Sequence, residues 1–413
     1  MKSQMINITN KQTCCGCGAC VQKCPKQCMT LMEDNQGFLY PLVDMASCID
    51  CGLCEKVCPF LNPADSRKPI QTLAAVNKNE EIRMKSSSGG IFTLLAEKII
   101  DEGGVVFGAR FDDEWQVTLD FTETKEGLAA FRGSKYVQAR TGETYNSCEQ
   151  FLKEGRKVLY SGTSCQIAGL KKFLRKEYDN LLAVEIVCHG VPSSKVWKNY
   201  IETIIRPKGV AGKNTVSSSL NVKSVITDIS FRDKGFGWKK FGFVIRGKSA
   251  SKADKNSVSS SVNTNNIIIQ EPFSDNLYMK TFLKNLCLRP SCYDCQVKSG
   301  RSGADIALAD FWGYDLLQER LWNDDKGVSL VLAYTAHGKK VLHLIQNQRE
   351  ETYEYALKYN SAIEHCVARN QYVDQFWQMF ELNGFKDINK LLSNFEPSFM
   401  ARLQGWIKRK IKR

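Results

Sequence analysis

The sequence is poor in the groups that mark many enzyme classes. It has only four histidines in 413 residues. None of them is spaced with another histidine or a carboxylate as metal ligands are, which argues against a histidine-built metal site. No G-x-G-x-x-G turn and no P-loop occur, so neither common nucleotide fingerprint is present. No apolar run approaches the roughly eighteen residues that a membrane-spanning helix needs. The first residues, MKSQMINITNKQTCCGC, lack the apolar core of a secretory signal. The expectation is a cytoplasmic protein. Hydrophobic residues make up 43% and charged residues 24%. That balance suits a folded globular chain, and the length allows one small and one or two larger domains.

Cysteine is what the sequence has in excess. There are 17, bunched unevenly. Ten precede residue 60, three lie between 287 and 295, and four are scattered. Structural disulfides are rare in cytoplasmic proteins, and a disulfide framework would not bunch in this way. Metal or cluster binding would.

The first group is an internal repeat. Cys14, Cys17, Cys20 and Cys24 recur as Cys48, Cys51, Cys54 and Cys58, and Pro25 and Pro59 follow the last cysteine of each set. Each run reads C-x2-C-x2-C-x3-C-P, the spacing of bacterial two-cluster ferredoxins. Two-residue gaps let one tight loop offer three thiolates to an iron–sulfur cube. The fourth cysteine of each run serves the other cluster. The assignment is therefore Cys14, Cys17, Cys20 and Cys58 for one 4Fe–4S cluster, and Cys48, Cys51, Cys54 and Cys24 for the second. Zinc sites favour two CxxC pairs separated by a longer gap. Cys15 and Cys28 fall outside the spacing and read as buried fillers.

Residues 1–62 thus form the ferredoxin domain, and 62–69 read as a linker. From 70 the pattern alternates strands and helices: strands at 105–110, 157–161 and 182–187, helices at 89–101, 141–153, 166–175 and 195–205. The expected fold is α+β, a small two-cluster ferredoxin domain fused to a larger mixed α/β domain with a helical C-terminal segment. Residues 70–205 and 206–360 are its two parts, and 361–413 the helical tail. The polar stretches 208–224 and 248–266 read as surface loops.

Cys287, Cys292 and Cys295 form a second constellation, C-x4-C-x2-C. A third 4Fe–4S cluster and a zinc site are both open readings. Either needs a fourth ligand. Cys165 is the first candidate, where a strand ends and a helix begins. Cys188, at the end of the next strand, is the second. Such strand ends are where α/β sheets place functional residues.

Two further stretches suit an anion. Ser87, Ser88, Gly89 and Gly90 precede a helix, and a helix N-terminus with glycine amides suits a phosphate. A flavin pyrophosphate fits there. The plainer alternative is a simple helix cap and turn. Arg132, Ser134 and Lys135 add two cations and a hydroxyl, or form a solvated loop. Asp310-Phe311-Trp312-Gly313 follows an apolar strand and either lines a ring pocket or belongs to the core.

The net charge is +13. Lys408, Arg409, Lys410, Lys412 and Arg413 crowd the C-terminus. A frayed, solvated end is the simple reading; weak contact with an anionic membrane surface is the other. Nucleic acid is not an expected partner. A basic surface also suits docking an acidic electron donor.

The segments SSSGGIFTLLA, FRGSKYVQ, GTSCQIAGLKKFL, VCHGVPSSKVW, FRDKGFGWKKFGF, CLRPSCYDCQVK and DIALADFWG occur in this order. Together they resemble the beta-subunit family of deazaflavin-coenzyme-reducing hydrogenases and formate dehydrogenases, over about residues 70–345, with the ferredoxin module fused in front. The resemblance implies an FAD-dependent iron–sulfur oxidoreductase. It implies that Cys165, Cys287, Cys292 and Cys295 hold a cluster, and that Ser87, Ser88, Gly89 and Gly90 lie near the flavin. The family's Gly-Thr-Pro-Cys has Ser164 in place of proline here, and its Gly-Asp-Phe-Trp-Gly begins with Ala309. Relatives with this fused layout resemble proteins of surface-polysaccharide synthesis, which implies a glycan precursor as the organic substrate.

The expected function is an iron–sulfur flavoprotein that carries electrons from a soluble donor through 4Fe–4S clusters to FAD and an organic substrate. The alternative is an electron-transfer adaptor that relays electrons to a partner redox enzyme. The sequence names no catalytic residue.

Overall fold

The computed structural model describes residues 6, 8–205, 226–247 and 266–395. The loop expected at 208–224, the one expected at 248–266 except for Asn266, which begins a strand, and the basic end of the chain lie outside the described residues.

In the N-terminal module, β1 (Met29–Glu33) pairs antiparallel with β2 (Leu39–Val43). Asp34 closes their turn by accepting the Gln36 and Phe38 N–H groups at 3.0 and 2.9 Å. Each cysteine run contains a one-turn helix, Ala19–Gln22 or Leu53–Lys56. The chain enters them through Gly18 and Gly52, at φ +77° and +68°. Glycine takes that left-handed conformation at no steric cost, which is why it sits inside both runs.

An eight-stranded sheet forms the larger domain. Five of its strands come first: β3 (Gln71–Val76), β4 (Val105–Phe111), β5 (Val117–Thr122), β6 (Val158–Thr163) and β7 (Leu181–Ile186). After a small sheet of β8 (Ile226–Asp233), β9 (Gly242–Gly247) and β10 (Asn266–Pro272), the chain returns to add β11 (Ile306–Asp310), β12 (Ser329–Ala333) and β13 (Asn347–Glu350). The order is β13-β3-β12-β11-β7-β6-β4-β5. The run β4, β6, β7, β11 is parallel, and the outer pairings are antiparallel. One sheet therefore draws strands from both 70–205 and 206–360.

Parallel strands need cover on both faces, and alternation supplies it. Phe107, Val158, Tyr160, Leu181 and Ala183 face one core, with the helices Thr144–Lys153 and Ser164–Leu174 and the cysteine module. Val106, Leu159, Leu182 and Val184 face the other, with the helix Ile91–Asp101.

The small antiparallel sheet packs with the helices Ser194–Ile205, Leu277–Leu283 and Val373–Asn383 around Phe231, Phe243 and Tyr278. The sequence reading did not foresee β8. Two register shifts interrupt its pairing with β9, and such irregularities break the two-residue period that marks a strand.

The expected linker is pinned. Arg67 N donates to the Ser299 carbonyl at 2.9 Å, and its guanidinium to Gly300 and Ala304 carbonyls at 3.0 and 2.8 Å. Among the described residues no helix is long and apolar enough to cross a membrane.

Candidate functional site

The cysteine runs fold into two groups. Cys14, Cys17, Cys20 and Cys58 form an inner group. Burial raises the Cys20 thiol, and then the neighbouring Cys17, Cys14 and Cys58 raise it further. Burial likewise pushes Cys58 up to about 11. Cys24, Cys48, Cys51 and Cys54 form an outer group around a cavity of about 20 Å³. Cys51 is exposed. Cys28 joins this outer group, its sulfur 3.4 Å from that of Cys24. Each group draws three cysteines from one run and one from the other.

The ends of the parallel strands build a third group. A bridge between Pro192 and Leu288 lays the segment after β7 beside the segment 287–295. Arg289 N donates to Val191 O at 3.0 Å, and Ser193 N to Cys287 O at 3.0 Å. Val191 N then reaches the Cys292 sulfur at 3.4 Å. Cys165 enters from the end of β6, where Thr163 caps its helix and Thr163 Oγ1 lies 3.3 Å from the Cys165 sulfur.

Cys165, Cys292 and Cys295 come together, and Cys188 joins them. Burial pushes Cys188, Cys292 and Cys295 each up to about 12, and each also feels two of the other thiols in the group. Cys287 is not brought to them. Its side chain lies in the apolar core with Tyr278 and Leu286, fully buried, and burial raises its pKa. Of the two candidate fourth ligands at strand ends, both lie in the group, and the one that falls out is the first cysteine of C-x4-C-x2-C. The pairing with Ser193 explains this: it fixes the Cys287 backbone against the neighbouring segment and leaves its side chain in the core.

The donor set fits an iron–sulfur cluster chemically. Burial and the neighbouring thiols hold Cys188, Cys292 and Cys295 protonated in the absence of a metal, while Cys165 stays close to its thiolate form. A cationic metal core reverses that balance, since ligation requires the thiolate. Among the described residues no three histidine, cysteine or acidic side chains close around a single metal ion. A cubane holds its thiolates farther apart than one ion does.

Cys15 is not an inert filler. It lines the same cavity wall as Cys17 and Cys165, and interaction with Cys165 and Cys17 raises its thiol well above an ordinary one. Cys15 is the first cause that holds Cys165 down to about 7, with Thr163 and Arg289 assisting. The inner group thus touches the third group through one side chain.

Beside the third group lies a cavity of about 730 Å³, lined by Cys17, Cys165 and Cys188 and by Arg232, Lys239 and Trp312. Ser87, Ser88, Gly90, Arg132, Ser134 and Lys135 also line it. Gly89 does not. Its N–H donates to Ser329 Oγ at 2.9 Å, and a Cβ there would lie 2.4 Å from the Ala75 carbonyl. The serine and arginine stretches meet, because Ser134 N donates to Ser87 Oγ at 2.7 Å. The helix Ile91–Asp101 starts at this wall from Gly90 at φ +85°, with no side-chain cap.

Four cations, Arg132, Lys135, Arg232 and Lys239, face this cavity against one carboxylate, Asp310. Burial lowers Lys135 to about 7, and its ammonium donates to the Arg132 and Gly133 carbonyls. Arg232 pairs with Asp310 at 2.6 Å, yet its buried Nε has no partner. Its guanidinium lies 4.1 Å from the Phe241 ring centre. Trp312 stacks on Trp238 at 4.9 Å, and Trp238 Nε1 donates to Asp310 at 3.0 Å. Uncapped helix amides, surplus positive charge and an orphaned donor fit a ligand that carries both phosphate and a ring. Arg232 was missed in the sequence because it lies on the unforeseen β8; the FRDKGFGW segment was its one signal.

A two-group cysteine module set on an α/β sheet, with further cysteines at the strand ends, defines an iron–sulfur redox protein. Residues 72–144 and 155–356 match the models for the N-terminal and C-terminal parts of the coenzyme F420 hydrogenase/dehydrogenase beta subunit, and residues 13–62 match a 4Fe–4S dicluster domain. The chain belongs to that beta-subunit family. Among solved structures it is similar to a chain of the F420-reducing [NiFe] hydrogenase complex from Methanosarcina barkeri, at 16% identity and a TM-score of 0.40, covering 80% of this chain and 93% of that one. The curated proteins hold no match.

Proposed function

We propose that this chain is an iron–sulfur electron-relay subunit that takes electrons from a soluble donor or partner redox enzyme at its ferredoxin module and delivers them to the 730 Å³ cavity. The observation that carries this reading is the run of cysteines: exposed Cys51 in the outer group, the inner group, Cys15, then Cys165. When bound, 4Fe–4S clusters supply one-electron transfer at potentials set by hydrogen bonding and burial.

The protein's own residues do the rest. Cys14, Cys17, Cys20 and Cys58 would hold the inner cluster, and Cys24, Cys48, Cys51 and Cys54 the outer one. Cys165, Cys188, Cys292 and Cys295 would hold a third. Gly169 gives the helix Ser164–Leu174 room to approach, since a Cβ there would lie 3.0 Å from the Cys17 sulfur. Ser87, Ser88, Arg132, Ser134 and Lys135 would bind a pyrophosphate, and Arg232 and Trp312 would orient a ring. FAD is the ligand we assign to this cavity.

The cavity's size also favours a second reading, a flavin-dependent reductase with an organic substrate of its own, such as a glycan precursor. Anaerobic purification with iron, sulfide, zinc and flavin analysis tests the assignment. About twelve irons, four per cluster, together with flavin are expected. About eight irons and no flavin would refute the third cluster and the flavin together. Eight irons with one zinc would assign the third group to zinc. Turnover of reduced flavin only after a partner is added separates the relay from the reductase.

A further inference from the structure

Arg289 is fully buried, and no carboxylate pairs with it among the described residues. It projects from the segment 287–295 into the ferredoxin module. Nε donates to the Cys14 carbonyl at 2.8 Å, Nη2 to the Leu39 carbonyl at 2.9 Å, and Nη1 to Gln138 Oε1 at 3.2 Å. Nη2 also lies 3.6 Å from the Cys14 sulfur. The guanidinium carbon sits 4.3 Å from the Tyr40 ring centre and 5.6 Å from that of Phe38. Gly16 makes room for it: a Cβ at Gly16 would lie 2.8 Å from Nη1.

A buried, permanently charged group without a counter-ion is costly. The charge is nevertheless held by three oxygen acceptors and two rings, so the fold is built to keep it there. Carbonyls and rings are neutral and do not cancel it. The groups able to do so are thiolates. Arg289 stands between the two groups: its guanidinium reaches the Cys14 sulfur of the inner group, and its carbonyl accepts the N–H of Cys292 in the third at 2.9 Å. A cube ligated by four thiolates carries net negative charge, which grows on reduction.

We propose that Arg289 is the shared counter-ion of the inner and third clusters, and that it raises their reduction potentials above that of the outer cluster. A fixed positive charge stabilises the reduced, more anionic form, and does so most strongly in a low-dielectric interior. The outer group, Cys24, Cys48, Cys51 and Cys54, is partly exposed, and the cation at its cavity, Lys26, is exposed to solvent and so far more screened than Arg289. The charge thus makes inward electron transfer downhill. Arg289 is a positioning residue: it acts through the clusters and touches no substrate. The proposal rests on the relay reading for the third cluster, but its claim about the inner cluster stands alone.

The test is an EPR-monitored redox titration of the full chain, prepared anaerobically with its iron counted. A Cys51→Ser variant identifies the outer cluster by the signal it loses. Arg289→Gln is expected to lower the inner cluster's potential by at least a tenfold change in its reduction equilibrium, about 59 mV for one electron, and to leave the outer cluster unmoved. Arg289→Lys keeps the charge and is expected to recover most of the shift. Gln138→Glu keeps Arg289 but sets a carboxylate against Nη1, and is expected to lower the same potential even if Arg289→Gln fails to assemble. Unchanged inner potentials in fully loaded variants, or equal shifts in all clusters, would overturn the proposal. A wild-type chain with eight irons refutes the third cluster only, and the inner cluster still reads out the effect of Arg289.

Discussion

Gly169, in the middle of a helix, faces Cys17 so closely that a Cβ on it would lie 3.0 Å from both the Cys17 Cβ and sulfur. Helix interiors disfavour glycine by about 1 kcal/mol relative to alanine, so close approach is the reason for it here. Gly169→Ala is therefore expected to press on the inner group and on Tyr145, whose hydroxyl would lie at 2.7 Å. The cost is about 1–3 kcal/mol, the range for overpacking a core, with loss of iron from the inner cluster. Thermal unfolding and iron content measure it. A more stable, fully loaded variant would show that the helix propensity gain wins.

Cys188 and Cys287 exchange the roles that spacing alone suggests. Cys188→Ser is expected to remove about four irons, one cluster's content. Cys287→Ser is expected to keep them and to lower stability by about 1–3 kcal/mol, as burying an unpaired hydroxyl does. Iron analysis beside unfolding curves separates the two. Iron loss in Cys287→Ser and not in Cys188→Ser would reverse the assignment.

That exchange shows where the sequence stops being legible. The inner and outer groups are readable because their ligands lie within one repeat, and local spacing fixes local geometry. The mixed α/β sheet is readable because β4, β6, β7 and β11 are short apolar runs separated by helical periods. The third group is assembled by β7 pairing in parallel with β11 and by the bridge from Pro192 to Leu288. Those contacts join residues about a hundred positions apart, and no local pattern encodes them. Arg232 was hidden for another reason: the bulges in β8 blur its alternation.

Lys135 gives the cavity a pH dependence. Burial lowers its pKa to about 7, so in the free protein the ammonium is charged below that pH and neutral above it. An anionic ligand binds the charged form better. FAD affinity, followed by flavin fluorescence, is expected to fall as pH rises through about 7. Lys135→Met is expected to bind more weakly at pH 6 and to lose most of this dependence. A wild-type affinity that is flat from pH 6 to pH 9 would contradict the role given to Lys135.

Arg232 and Asp310 form a buried pair at 2.6 Å. Arg232→Gln leaves Asp310 short of its cation, and breaking such a pair costs about 3–5 kcal/mol. Replacing both, with Arg232→Gln and Asp310→Asn, is expected to recover much of that stability but not flavin binding, because the orphaned Nε is gone. Chemical unfolding and flavin binding, measured on the same three proteins, read the two effects separately. Full recovery of binding in the double variant would remove Arg232 from the site.

The most direct test of the relay is a stopped-flow measurement of flavin reduction in the cavity, with electrons supplied by a reduced soluble donor. In a Cys51→Ser chain that still binds flavin, the rate is expected to fall at least about tenfold, as an added barrier of roughly 1.4 kcal/mol would produce. An unchanged rate in that variant would mean that electrons reach the cavity without passing the outer cluster, and would contradict the account.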